Sequence, residues 1–454
     1  MFDNKTIHFI GIGGISMSGI AEIAHSLGAN ITGSDINESE ITKSLSTKGF
    51  KILYGHHPEM IKDADIVVYT AAIHEDDPER IETKKLQKEN YERAEFLGII
   101  SKEYENCLCI SGTHGKSTTT GMVASIFLKA DLNPTIQIGA MLSQIGGNTK
   151  IGDKKYLIME SCEYVDSFLH FHPTSIIITN IDNDHLDYFK NLDNIKKSFN
   201  KYVNLLPNNG ILVKNNDDEN SKDIENGYKG KVITYAINNA ACYNAKNIKV
   251  NDMGHYSFDI YHQENYLVTI NLNINGKHNI YNALAAFALC QNYISDITLI
   301  KEGIENYRGV GRRFEYLGTY NGAYVYDDYA HHPTEIKTTL NSVKQVHHNK
   351  DYAIFQSHTF SRTKEHLDEF AEVLSHFDNI IIAPIYPARE INTFNISEDM
   401  LVDKIKEKNK NVIYLDSFAK ITDYIKNNVQ PKDLIITIGA GPVNKIAYDL
   451  TKKS

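Results

Sequence analysis

At 454 residues the chain is long enough for about three domains, each with a real hydrophobic core, and its 42% hydrophobic and 23% charged residues are the balance of an ordinary soluble globular protein. A net charge of −10, from 47 basic against 57 acidic residues, argues against a general nucleic-acid or membrane-surface role, so any anionic ligand has to be held locally. Five cysteines, an odd number without C-x-x-C spacing, argue against a disulfide framework or a cysteine zinc site and suit a reducing cytoplasm.

The opening Met-Phe-Asp-Asn-Lys carries no signal-type basic region, and no apolar run reaches the roughly 18 residues of a membrane span. Neither export nor membrane insertion is expected. Residues 5–14 read as an apolar strand breaking into glycines, and Met17 to Leu27 carry apolar residues at helical spacing. This is a Rossmann-like opening. Gly11 and Gly13 are followed by Ser16 where a dinucleotide fingerprint wants its third glycine, with Gly14 and Gly19 as extras, so NAD is the weaker reading. A second strand, 30–35, ends in Asp35, which either binds a ribose or sugar hydroxyl or caps the next turn. A third, 66–70, runs into Ala71, small enough for close ligand approach.

A central domain is expected from about residue 101. Residues 107–121 run from an apolar strand, where Cys107 and Cys109 alternate, through the glycine-containing turn Gly112-Thr-His-Gly-Lys-Ser117 and then into a helix start. Gly112 and Gly115 let the backbone approach an anion, and the helix behind them points its unpaired N–H groups at it. Lys116 can add a charge on terminal phosphates, and Ser117 can complete a Mg2+ shell. A full Walker A pattern wants glycine at position 110, where the chain has Ile110. Two further apolar strands, 156–160 and 175–180, end in Glu160 and lead to His185; in a parallel sheet these ends share an edge with the phosphate loop, so both can converge on a phosphate-bound metal. The region 207–275 reads as strands alternating with polar turns and carries no chemical signal. His278 and Asn282 then lie four residues apart on one face of an apolar helix, where they either meet a purine edge or cap the helix. Near Val310 to Arg313 a new strand-helix series begins: 323–328, ending in Asp328; a helix opening at Pro333; a strand running into Gln356 to Arg362; another ending at Pro384; and a last one over 434–441.

Five stretches, Gly11 to Gly19, Gly112 to Ser117, Thr179 to His185, Asp327 to Pro333 and His358 to Arg362, occur in an order and with residues that resemble the Mur ligases of bacterial peptidoglycan synthesis. The resemblance also accounts for Ile110, because that family's loop reads G-T-x-G-K-[ST]. It implies an α/β chain of three domains, each on a mostly parallel sheet with flanking helices: a Rossmann-like UDP-sugar domain over 1–100, a P-loop ATPase domain over 101–311, and a Rossmann-like ligase domain over 312–454. The implied activity is ATP-dependent amide formation, in which the lactyl carboxylate of UDP-N-acetylmuramate takes the γ-phosphate of ATP and the amine of L-alanine displaces it.

On that likeness Gly11, Gly13, Gly14, Ser16, Ser18, Asp35, His56 and Ala71 would face the UDP-sugar. Gly112 through Thr118, His278, Asn282, Arg313 and Asp328 would face ATP. Ser117, Glu160 and His185 would hold Mg2+, and Lys116, His185, His331, His358 and Arg362 would serve the reaction. Sibling ligases carry a carbamylated lysine downstream of the His185 equivalent, a region crowded here by Lys196, Lys197 and Lys201. A cytoplasmic monomer or weak dimer with no nucleic-acid or membrane partner is expected. The competing readings are a ligase that recycles a whole peptide onto the same UDP-sugar, a folylpolyglutamate synthase relative, and a non-catalytic UDP-sugar sensor.

Overall fold

Strands alternating with helices along the sequence predict parallel sheets, and three sheets form among the described residues, which are 2–452 apart from 71 and 389 in this computed structural model. The first sheet is parallel with order β3-β2-β1-β4-β5, from β1 (Thr6–Ile10), β2 (Asn30–Asp35), β3 (Lys51–Tyr54), β4 (Ile66–Tyr69) and β5 (Glu89–Glu92). The chain reverses its direction across the sheet between β1 and β4. Such a switch leaves a crevice beyond the carboxyl ends of those strands, where Gly11 to Gly14 follow β1.

The second sheet has ten strands: β6 (Asn106–Ser111), β7 (Pro134–Leu142), β8 (Gly147–Lys150), β9 (Asp153–Glu160), β10 (Ser175–Ile178), β11 (Ile211–Asn215), β12 (Lys231–Ala236), β13 (Tyr243–Val250), β14 (His255–His262) and β15 (Asn265–Asn275). Their order is β15-β14-β13-β12-β11-β10-β6-β9-β7-β8. Around β6 the sheet is parallel, with β9 on one side and β10 on the other. β6 is apolar on both faces because helices cover both, and Cys107 to Ile110 are fully buried. The segment 207–275 supplies β11 to β15, extending the sheet away from the phosphate loop.

The third sheet has order β16-β17-β21-β18-β19-β20, from β16 (Glu315–Tyr320), β17 (Ala323–Asp328), β18 (Asp351–Phe355), β19 (Asn379–Ile382), β20 (Val412–Tyr414) and β21 (Leu434–Ile438). Only β16 runs antiparallel to its neighbour.

The chain divides into two units: Met1–Ile248, Ser257–Leu272 and Lys277–Tyr307 carry the first two sheets, and Lys249–Tyr256, Asn273–Gly276 and Arg308–Ser454 carry the third. Within the first unit one apolar core is continuous from Phe9 and Phe96 under β1 to Cys109, Met159 and Phe199 under the central sheet. Among the described residues no helix is long and apolar enough to cross a membrane.

Candidate active site

Because β6, β9 and β10 are adjacent and parallel, Gly112, Glu160 and Thr179 emerge at one edge. The loop between β6 and the helix Lys116–Lys129 is laced to the end of β10: Thr113 N–H donates to Asn180 O at 2.9 Å, His114 N–H to the Asn180 side-chain oxygen at 2.9 Å, and Asp182 N–H to Thr113 Oγ1 at 2.9 Å. Gly112 has φ +128 and Gly115 φ +83. A Cβ on Gly112 would lie 2.1 Å from Thr179 Oγ1, and one on Gly115 would lie 2.6 Å from Asn282 Oδ1. Only glycine fits either position.

Lys116 opens the helix and turns back over its own loop, its ammonium donating to Gly112 O at 2.6 Å and Thr113 O at 3.1 Å. It also pairs with the Glu163 carboxylate at 3.0 Å, a partner that motif reading missed. Ser117 Oγ donates to Glu160 Oε2 at 2.9 Å, and Gly139 N–H donates to the same oxygen at 3.0 Å. Ser117 and Glu160 are therefore brought together at the loop. His185 sits differently: it precedes a short helix in the left-handed region (φ +53), its ring lies 4.5 Å from that of Tyr164, and its Nε2 is 3.8 Å from Asp184. A hydroxyl and a carboxylate oxygen in contact form a donor set that suits a hard divalent ion such as Mg2+.

His278 and Asn282 lie on the helix His278–Cys290, whose Asn282 side chain reaches Gly115 and donates to Asn279 Oδ1 at 2.8 Å. Burial, with the nearby His114, pushes the His278 imidazole below its ordinary pKa. Thr118 lies beside the buried Tyr307 hydroxyl. Lys196, Lys197 and Lys201 line a groove of about 750 Å3 with Asp166 and Tyr188.

At the first sheet, Gly11 N–H donates to Ser34 O at 2.8 Å, and Gly13 N–H donates to Asp35 Oδ2 at 2.8 Å. Asp35 thus holds the glycine turn, and its other oxygen takes Asn37 N–H at 3.2 Å. Gly14 precedes the helix Ile15–Ser26, Ser16 accepts from Arg93 at 3.4 Å, and Ser18 is buried with its hydroxyl donating to Ile15 O at 2.9 Å. His56 pairs with Asp77 at 3.1 Å. Ala71 lies outside the described residues.

In the second unit, His331, His358 and Arg362 gather at the carboxyl edge of the third sheet. Arg362 Nη1 donates to His358 Nδ1 at 3.1 Å, and the His331 and His358 rings lie 5.9 Å apart. Burial, the Arg362 charge and His331 hold the His358 imidazole below its ordinary pKa, which keeps Nδ1 an acceptor. Thr359, between them, has φ +70, a strained setting of the kind that clusters at functional sites. Asp328 is buried under the same edge, and burial raises its carboxyl to about 6. It accepts from Ala330 N–H at 2.9 Å and Thr339 Oγ1 at 3.0 Å. Arg313 reaches Glu335 at 4.0 Å. Its neighbour Arg312, absent from the motif reading, binds Asp327 at 2.9 Å and the carbonyls of Gly439 and Gly441.

A phosphate loop at one sheet edge and a histidine–arginine cluster at the edge of another sheet are each suited to an anionic ligand, and the class of protein follows from the likeness of the whole chain. Residues 6–105 match the Mur ligase family catalytic domain, 110–290 the Mur ligase middle domain, and 312–441 the Mur ligase glutamate ligase domain. The chain belongs to the Mur ligase family. It is 47% identical over 447 residues to a UDP-N-acetylmuramate–L-alanine ligase of Caldicellulosiruptor bescii, covering 98% of both chains. A crystal structure of a UDP-N-acetylmuramate–alanine ligase from Thermotoga maritima superposes with a TM-score of 0.83 at 27% identity, covering 98% of each chain. A murein peptide ligase from Psychrobacter arcticus shares the fold, with a TM-score of 0.69 at 23% identity over 99% of this chain and 100% of that one.

Proposed function

We propose that this chain is an ATP-dependent ligase that joins L-alanine to UDP-N-acetylmuramate through an acyl phosphate, in peptidoglycan precursor synthesis. The observation that carries the reading is the end-to-end likeness to an L-alanine ligase in a chain whose phosphate loop brings Ser117 against Glu160. Residues 1–100 take the UDP-sugar, 101–311 the ATP, and 312–454 the amino acid. Residence in the cytoplasm as a monomer or weak dimer, without a nucleic-acid or membrane partner, fits the acidic charge and the cysteine content.

A carboxylate is a poor acyl donor, so its oxygen must first become a leaving group. The lactyl carboxylate attacks the γ-phosphorus, an O–P bond forms as the bond to ADP breaks, and the acyl phosphate results. Such a transfer needs charge neutralisation more than covalent help. Lys116 places an ammonium on the transferring oxygens, and the loop N–H groups at the start of the helix Lys116–Lys129 hold the phosphates. Ser117 and Glu160 would hold Mg2+, with His185 as a further ligand, and the ion would supply positive charge to the β- and γ-oxygens. The amine of L-alanine then attacks the acyl carbon, a C–N bond forms, and phosphate leaves; Arg362, with His331 and His358, steadies the acyl phosphate or the amino acid. His278 and Asn282 sit where the helix His278–Cys290 reaches the loop and would meet the nucleotide. Gly11 to Ser18, with His56 and Ala71, would face the UDP-sugar.

Phosphate release measured with ATP, UDP-N-acetylmuramate and each of L-alanine, glycine, L-serine and a tripeptide tests the reading. Release that depends on L-alanine is expected. Turnover with the tripeptide alone would identify a recycling ligase, and no turnover with any acceptor would leave a sensor.

A further inference from the structure

The best-buried charge beside the phosphate loop belongs to a residue that no motif contains. Glu163 is 2% exposed at its side chain and lies 3.0 and 3.2 Å from the Lys116 ammonium, itself 15% exposed. An ammonium has three donors. Gly112 O, Thr113 O and the Glu163 carboxylate engage all three, so a phosphate oxygen that takes Lys116 has to displace one of them. The two carbonyls belong to the same short loop as the lysine and are neutral. Glu163 comes from the segment after β9 and is the charged competitor.

That segment is strained. Val165 and Asp166 follow Glu163 with φ of +50 and +57, a region that a β-branched residue avoids. The turn is over-determined by its neighbours: Asp166 N–H donates to Glu163 O at 3.0 Å, Tyr188 donates to one Asp166 carboxylate oxygen at 2.8 Å, and Ser198 donates to the other. Val165 is left 44% exposed while Glu163 points inward. Backbone strain that is held this firmly marks a position the fold is built to maintain.

We propose that Glu163 is a resident counter-ion that competes with nucleotide phosphate for Lys116 and thereby weakens the hold of the loop on ATP and ADP. The proposal rests on reading residues 112–117 as the nucleotide phosphate loop. Binding exchanges one charged pair for another instead of creating one from a solvated lysine, and it sets an anionic ligand beside a buried carboxylate that has lost its partner. After each turnover the lysine has an internal anion to return to, which favours release of ADP.

Glu163→Gln keeps the shape and removes the charge. Titration calorimetry with magnesium present should show ATP and ADP bound roughly tenfold more tightly than by the unaltered chain, the scale of one charge-assisted hydrogen bond. Adenosine, which has no phosphate, should bind equally to both, an outcome that a merely structural role for Glu163 does not produce. Glu163→Asp, which draws the carboxylate back by one methylene, should tighten ADP by a smaller factor and serves if the glutamine variant fails to fold. Unchanged or weaker ADP binding in a variant that melts cooperatively would overturn the counter-ion. Failure of the unaltered chain to bind ATP would instead overturn the phosphate-loop reading on which the proposal stands.

Discussion

Replacing Gly112 by alanine asks whether the phosphate loop is held in one shape by contacts that leave no room for a side chain. The backbone there has φ +128, outside the regions open to alanine, at a cost of about 1–3 kcal/mol. The new Cβ would also stand 2.1 Å from Thr179 Oγ1 and 3.0 Å from both Thr179 N and Asn180 O. Thr179 cannot simply rotate away, because its hydroxyl binds His114 O at 2.6 Å and Ser111 O at 3.2 Å, and its N–H donates to Ser111 O at 3.0 Å. Forcing such a neighbour aside costs about another 1–3 kcal/mol. The sum, about 2–6 kcal/mol, compares with about 1 kcal/mol for Gly146→Ala, where φ is +64 and nothing lies within 4 Å. At about 2–4 °C per kcal/mol, Gly112→Ala should melt at least about 4 °C below the unaltered chain and Gly146→Ala about 2–4 °C below. The alanine at 112 should also weaken ATP binding by about tenfold or more, because the strand end and the loop cannot both keep their places. Adding Thr179→Ala should recover part of the stability and not all, since the backbone contacts remain. Differential scanning calorimetry and ATP titration of the three variants check this, and equal melting and ATP affinity for Gly112→Ala and Gly146→Ala would refute it.

Ser117→Ala and Glu160→Gln should each raise the magnesium concentration needed for half-maximal rate, since each removes one oxygen donor; unchanged magnesium dependence in both would take them out of the metal site. Arg362→Ala should slow amide formation by about 100-fold or more with little change in ATP affinity, and a lysine there should rescue poorly because it cannot grip with two parallel bonds. The same variant should raise the titration midpoint of His358 in an NMR experiment, since the arginine charge holds it down; an unchanged turnover number would remove Arg362 from the mechanism. Asp328→Asn tests the buried carboxyl raised to about 6: the folded state binds this proton more tightly than the unfolded one, so the stability it lends is present at low pH and lost as pH rises through about 6. Unfolding free energies should therefore shift in favour of the asparagine variant by up to about 3 kcal/mol between pH 4 and 7, and an unchanged difference between the two chains over that range would contradict the assignment.

The strands themselves and the loops at their carboxyl ends were legible because both are local properties. An apolar run of five or six residues ending in glycine states its own fate, and Gly112 and Gly115 stand where a Cβ has no room. Asp35 could be read two ways from sequence, and in the fold its carboxylate accepts from Gly13 N–H and Asn37 N–H. Arg312 and Arg313 are adjacent and chemically alike, so no periodicity distinguishes the one that locks Asp327 to the Gly439 turn from the one at the surface. Residues 207–275 were read as strands without chemistry because they alternate, and they extend the sheet beyond β10. Glu163 is the instructive omission. It lies 47 residues from Lys116, in an irregular turn with neither glycine nor periodic spacing, where Val165 gives no hint of its left-handed backbone. A motif marks residues whose type is dictated by the ligand or by the backbone that must approach it. The charge that balances a motif lysine has only to reach one atom in space, and any segment that ends near that atom can supply it. The neighbours of a motif in the sheet, here the first residues after β9, are therefore where its electrostatic control is to be sought, and they become visible only when the strand order is known.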